Sequence, residues 1–271
     1  MELPSASLLA QSVLSGVFVG ALYGLLGLGL TLSWGLLRQI NLAYFALTFL
    51  GAYLAYQLAA TGGMDPLATL FVIVPGFFAA GAALQWVLAR FRVSPFNSLL
   101  VTFGLTVIVE SVIQAVWTAD FRRLESVYGD TRFRLGALYV PLPELLTLGL
   151  AVALSLALWA ALRFTDLGRA MRGAAEDGPI ASAFGVNQRF NALLLAGVCA
   201  SLSGVAGVCM ALSYTLAPAQ IYAWIGVVFA AVMLGGLGRP LGPLVAGIVI
   251  GVSEAVTMAL TSPSWAPLVS F

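Results

Sequence analysis

Charged residues interrupt this chain so rarely that it divides into apolar runs of membrane-spanning length, and that constrains the fold more than any motif does. Runs of about 20 residues occupy roughly 8–33, 41–60, 67–89, 96–118, 142–162, 190–213, 220–237 and 241–260. Helices of that length satisfy their own backbone hydrogen bonds across the hydrocarbon layer. The runs lack the dyad alternation of a membrane barrel. Only 8% of the 271 residues are charged and the mean hydropathy is +1.02, whereas about a quarter are charged in soluble domains. The expected fold class is all-α: a polytopic integral membrane helical bundle of about eight transmembrane helices, Gly-rich with broken segments, in a single transmembrane domain over residues 1–271.

Orientation rests on arginine alone, because the chain has no lysine. One alternate set of connections holds Arg38, Arg90, Arg92, Arg163, Arg169, Arg172, Arg189 and Arg239; the other holds Arg122, Arg123, Arg132 and Arg134, diluted by Asp120, Glu125 and Asp130. The positive-inside rule then predicts a cytoplasmic first set and both termini outside. The segment before the first run has no positive charge, which agrees and argues against a cleaved signal peptide.

The most distinctive stretch is residues 166–185, DLGRAMRGAAEDGPIASAFG, between two apolar runs. A helix capped by Asp166 would place Leu167, Ala170, Met171, Ala174 and Ala175 on one apolar face and Arg169, Arg172, Glu176 and Asp177 on the other. So charged a segment belongs in water or at a surface. Residues 119–140 form the longest polar connection and are expected to be an ordered external loop. Small residues four apart, Gly16, Gly20 and Gly24, Ala200 and Gly204, Ser203 and Gly207, Gly247 and Gly251, suit close helix packing. Two stretches, 24–53 and 226–255, share an outline of apolar helix, Gly-rich break with one arginine, and apolar helix, a faint internal repeat of a kind transporters use.

Little enzymatic chemistry is available. The chain has no histidine, so Ser201 and Ser203 have no imidazole base, and no phosphate loop or dinucleotide fingerprint occurs. Cys199 and Cys209 lie ten residues apart on one span, about 15 Å along a helix and too far for a disulfide. No basic cluster suggests nucleic acid. The fourth span carries Ser98, Thr102, Thr106, Glu110, Gln114 and Thr118 at every fourth position. This polar stripe either lines a translocation path or bonds its own helix and a neighbour, and Glu254 in the last span stands under the same two readings. Asn41, Tyr44 and Thr48, with Phe45 beside them, form a polar face on the second span that suits either a small-molecule site or interface anchoring.

Three stretches then converge on one family. GRAMRGAAEDGPIASAFGV, INLAYFALTFLGAY and AAVMLGGLGRPLGPLVAGIVIGVSEA, with LLVTFGLTVIVES also similar, together resemble the Liv-type H permease subunit of high-affinity branched-chain amino acid ABC importers over nearly the whole chain. The resemblance implies that residues 166–185 are a coupling segment docking in a groove of an ATPase subunit, with Gly168, Arg169, Ala170, Arg172, Ala174, Glu176, Asp177 and Gly185 as the contact set. It implies a homologous M-type permease as partner in a heterodimer, two cytoplasmic ATPases, and a periplasmic or surface substrate-binding protein. ATP and magnesium would be bound by the ATPases and no cofactor by this chain, which would be a transport subunit and not an enzyme. The location implied is the inner or cytoplasmic membrane of a bacterium or archaeon.

One departure bears on cargo. Where the family shows Asn-Phe-Ala-His-Gly-Glu, this chain reads Asn41, Leu42, Ala43, Tyr44, Phe45, Ala46. If that face lines the path, the change favours a less polar or differently charged cargo. Branched-chain amino acids or a related small organic solute are therefore the leading expectation. Urea, short amides or aromatic acids within the same architecture are the alternative, and an ATP-independent carrier or pore using Glu110 or Glu254 is a more distant one.

Overall fold

The computed structural model describes residues 6–136 and 138–260. The expected positions of the two termini therefore lie outside the described residues. Among those described, eight helical segments are long and apolar enough to cross a membrane. They are α1 (Ala6–Leu37), α2 (Ala43–Ala60), α3 (Leu70–Arg90), α4 (Pro95–Trp117), α6 (Leu142–Phe164), α9 (Gln188–Ser213), α10 (Ala223–Gly235, preceded by a 3-10 turn at Pro218–Tyr222) and α11 (Leu241–Leu260). Shorter helices α5 (Val127–Asp130), α7 (Asp166–Glu176) and α8 (Gly178–Ala183) lie in the connections.

Helices α1, α2 and α9 are the most enclosed and form the centre of the bundle, with the others around them. Small residues set this arrangement, because with lipid outside there is little hydrophobic drive between helices and close contact must supply the attraction. A Cβ added to Gly247 of α11 would lie 2.6 Å from the Gly20 carbonyl oxygen and 2.7 Å from the Gly24 nitrogen of α1. At Gly16 it would lie 2.6 Å from the Val252 Cα. The two helices run antiparallel with their backbones in direct contact. A second close approach joins Gly207 of α9 to the backbone of Thr48 and Ala52 on α2. Both cysteines fall inside α9, Cys199 and Cys209 alike buried and free of any disulfide.

The Gly-rich break in the last part of the chain is real. Helix α10 stops where Gly236 (φ 86°) and Gly238 (φ 73°) take the left-handed backbone that side chains disfavour. It sits against the end of α1: the Gly238 amide donates to the Thr31 carbonyl and hydroxyl, both at 3.1 Å, and the Thr31 hydroxyl donates to the Gly236 carbonyl at 3.1 Å. The two stretches of the suspected repeat thus meet at their breaks, Arg38 of the first having φ 53°.

At the opposite end, the polar connection is ordered as expected. Strands β1 (Arg132–Leu135) and β2 (Leu138–Pro141) form an antiparallel hairpin, tied to α1 by Gln11, which bonds both the amide and the carbonyl of Tyr139 at 2.9 and 3.0 Å. Arg122 and Leu216 exchange two backbone hydrogen bonds. The Tyr128 hydroxyl donates to Asp65 at 2.7 Å, and that bond holds the Asp65 carboxyl below its ordinary pKa.

Candidate functional site

Two regions gather the residues singled out by sequence: the connection between α6 and α9, and the polar positions on α2, α4 and α11. The connection is two helices, not the single amphipathic one expected. Thr165, rather than Asp166, caps α7, its hydroxyl accepting from the Gly168 amide at 3.0 Å, while Asp166 pairs with Arg169 at the surface. The chain then takes an extended conformation at Asp177, whose carboxylate accepts from the Ile180 amide at 3.0 Å and starts α8. After α8, Gly185 (φ 87°) reverses the chain and Asn187 caps α9, accepting from the Phe190 amide at 3.1 Å. The Gln188 side chain bonds the Gly178 carbonyl and, at 2.7 Å, the Ser182 hydroxyl, which braces α8 against the start of α9.

The apolar face of α7 turns inward. Gly168 lets α7 lie directly on the end of α6, where a Cβ would meet the Leu162 backbone, and Met171 is buried. Ala170, Ala174 and Ala175 are half-buried, whereas Leu167, expected on the same face, is 39% exposed. Apolar atoms gain most by covering other apolar atoms, and the bundle supplies the nearest such surface. What faces outward is the charged rim of Arg169, Arg172, Glu176 and Asp177, together with two apolar side chains of α8: Ile180, 56% exposed, and Phe184, 86% exposed. Sequence reasoning concentrated on α7 and missed both. The available signal was their spacing of four directly after the Asp177 cap.

On α2, Tyr44, Phe45 and Thr48 are each 2% exposed or less. Phe45 stacks on Phe229 at 6.3 Å, Tyr44 fills the notch at Gly29, and the Thr48 hydroxyl donates to the Tyr44 carbonyl at 3.0 Å. Asn41 and Tyr44 do reach an enclosed cavity shared with Ser33, Gln39, Gln85 and Cys199, and neither Asn41 Oδ1 nor the Tyr44 hydroxyl has a protein partner. Its volume is about 20 Å³, room for one water and far below the roughly 300–1,000 Å³ of small-molecule sites.

The α4 stripe divides in two. Thr102 and Thr106 are buried: the Thr102 hydroxyl accepts from the Leu42 amide at 3.1 Å at the start of α2, and Thr106 donates to the Thr102 carbonyl at 2.9 Å. Glu110 instead lies toward the outer surface of the bundle with exposed Gln114. Its carboxylate accepts from the Tyr222 hydroxyl at 2.7 Å and from the Gln114 amide at 3.2 Å. Glu254 is likewise held by a tyrosine, accepting from the Tyr23 hydroxyl at 2.9 Å, and Tyr23 meets Trp224 edge-on at 5.9 Å. The two carboxylates share no hydrogen-bond partner, and neither lines the Asn41 cavity. Tyr222 and Tyr23 were not anticipated, since each lies over a hundred residues from its acid.

Comparison with known proteins agrees with this architecture. The family model described as branched-chain amino acid transport system / permease component matches residues 12–271. The high-affinity branched-chain amino acid transport system permease protein LivH of Salmonella typhimurium is 26% identical across 96% of this chain and 90% of its own length. The corresponding protein BraD of Pseudomonas aeruginosa is 23% identical across the same shares, and a probable branched-chain amino acid transport permease, LivH of Methanocaldococcus jannaschii, is 25% identical over 91% of this chain and 80% of its own. No solved structure matches the chain. With eight membrane-spanning segments and a match over nearly its whole length, the chain belongs to the family of branched-chain amino acid transport system permease components.

Proposed function

We propose that this permease is half of the translocation pathway of an ATP-driven importer, that residues 166–185 couple it to a cytoplasmic ATPase, and that its cargo is a branched-chain amino acid or a closely similar solute. The observation that carries the reading is the pair α7–α8. Two short helices, each with its own side-chain cap, lie on the bundle end with a charged rim and two apolar side chains turned outward. That is the form of a segment that enters a groove on a partner. Arg169, Arg172, Glu176 and Asp177 would set register, and Ile180 and Phe184 would supply the buried contact. Gly168 and Gly185 would hold the geometry, and Ala170 and Ala174 would keep α7 seated.

The face bearing Glu110 supports a second permease. A carboxylate and an amide on the surface of a membrane span are costly against lipid and are expected against protein or water. Glu110, Gln114 and Tyr222 would then border the pathway between this chain and a homologous M-type subunit. The arginine asymmetry supports both termini outside and α7–α8 in the cytoplasm. ATP and magnesium belong to the ATPase pair, and a periplasmic or surface binding protein would deliver the solute. The relatives' names favour branched-chain amino acids over urea, short amides or aromatic acids, and over an ATP-independent carrier.

The test is to isolate the tagged chain from native membranes and assay ATP hydrolysis against a panel of liganded binding proteins. Co-purification of a second permease and ATPases, with turnover stimulated by leucine, isoleucine or valine on a binding protein, is expected. A chain that purifies alone and moves solute without ATP would refute the reading and bring Glu110 and Glu254 forward as transport groups.

A further inference from the structure

Four arginines from four separate segments line one cleft at the end of the bundle that carries α7. Arg38 follows α1, Arg163 is in the last turn of α6, Arg172 is on α7, and Arg239 is in the break between α10 and α11. All four are exposed, and the cleft has a volume of about 1,070 Å³. Glu176 is the one acidic side chain in its lining, leaving a formal excess of three positive charges. Among the described residues the only ion pair is Arg169–Asp166, so none of the four is neutralised by a carboxylate. Four like charges with a single acidic neighbour repel one another, and a cleft lined mostly by one sign concentrates the opposite ion.

Position decides which anion. Helices α1, α6 and α10 end, and α11 begins, around this cleft, so it lies where hydrocarbon gives way to headgroups. Its rim is suited to acyl chains: Val245 at the start of α11 is 61% exposed and Leu237 is 40% exposed. Trp159, a residue type that settles at the membrane interface, lines the same cleft with the Arg163 guanidinium 5.2 Å above its ring. That stacking orients a planar fork that binds phosphate oxygens in pairs. Basic pockets between spans at the membrane surface are suited to anionic lipid headgroups.

We infer that this cleft binds the phosphate of an anionic phospholipid, with Arg38, Arg163 and Arg239 as its principal contacts and Arg172 reaching it from α7. The three-charge excess suits a headgroup carrying two phosphates better than one carrying a single phosphate. The inference rests on membrane residence and on the cleft, not on the importer reading. A bound headgroup would tie α7 to α1, α6 and the α10–α11 break, and so stiffen the base on which the proposed coupling segment stands.

The chain is purified with whatever subunits accompany it, stripped of lipid, and titrated in nanodiscs with cardiolipin, phosphatidylglycerol or phosphatidylcholine. Retained lipid is read by native mass spectrometry. Wild type should retain the anionic lipids, cardiolipin most tightly, over phosphatidylcholine. Each arginine near an anionic surface contributes about fivefold in affinity. Arg239→Gln alone should therefore weaken retention about fivefold, and Arg38→Gln with Arg163→Gln and Arg239→Gln about a hundredfold. Arg123→Gln, at the other end of the bundle, should leave it unchanged. Equal retention of all three lipids by wild type, or unchanged retention by both the single and the triple variant, would overturn the inference. Protection from thermal unfolding by inorganic phosphate as strong as that by phosphatidylglycerol would assign the cleft to a soluble phosphate and overturn the lipid assignment. Absence of an ATPase from the preparation would count against the importer reading while leaving the lipid measurement intact.

Discussion

Adding one methyl group to Gly247 tests how the bundle is held together. An alanine there would gain about 1 kcal/mol of intrinsic helix propensity. Its Cβ would also stand 2.6 Å from the Gly20 oxygen and 2.7 Å from the Gly24 nitrogen, roughly 0.7 Å inside ordinary contact distance. Those atoms are backbone and cannot rotate aside, so α1 and α11 must separate along a seam that also includes Gly16 and Gly251. Overpacking costs about 1–3 kcal/mol, and a rigid seam places this case at the upper end. The net expectation for Gly247→Ala is about 1–2 kcal/mol of destabilisation. Gly104 on α4 is the control, since a Cβ there meets nothing within 4 Å. Gly104→Ala should be neutral or stabilising by up to about 1 kcal/mol. Thermal melts of the purified variants, followed by fluorescence-detected size exclusion, give the comparison. If Gly247→Ala melts at or above wild type, or Gly104→Ala falls by as much as Gly247→Ala, the account of the seam is wrong.

Other outcomes follow from single contacts. Tyr222→Phe should cost about 1–2 kcal/mol by leaving Glu110 short of a donor, while Glu110→Gln, which keeps an acceptor, should cost less; melts of both variants check the order. Phe184→Asp should reduce co-purified ATPase about tenfold or more without loss of helical circular dichroism, because the side chain touches little of its own bundle. For the pair at the end of the bundle opposite α7, Asp65 has a lowered folded pKa because Tyr128 donates to it, so the contribution of the bond is present above the unfolded pKa and is lost as pH falls through the lowered value. In Tyr128→Phe the Asp65 carboxyl resonance should therefore titrate at higher pH than in wild type; an unchanged midpoint would deny the bond its role.

Spans were legible because hydropathy is a sum over about 20 residues and tolerates local irregularity, and eight runs became eight segments. Their ends were less so: the run at 220–237 contains a 3-10 turn at its start and stops early at Gly236, because a local backbone conformation ends a helix without changing composition. The α4 stripe was visible, but its division was not. Steps of four overshoot a helical turn by about 40°, so Glu110 points about 120° away from Ser98, enough to move from the α2 contact to the outer surface. Asp177 as a second cap was hidden because it reads equally well as the last charge on the polar rim of α7. The tyrosines that hold Glu110 and Glu254 were beyond reach, since pairing across 112 and 231 residues leaves no local pattern.

The burial of both cysteines has a practical consequence for probe chemistry. Cys199 is 5% and Cys209 1% exposed, each inside α9 at the centre of the bundle, where a maleimide in solution reaches neither. A single cysteine placed at Phe184 or at Gln114 would thus be the one thiol open to a fluorophore or spin label, without prior removal of the native pair. One labelled protein could then report the proposed engagement of α8, and another the approach of the proposed second permease, each from a native background.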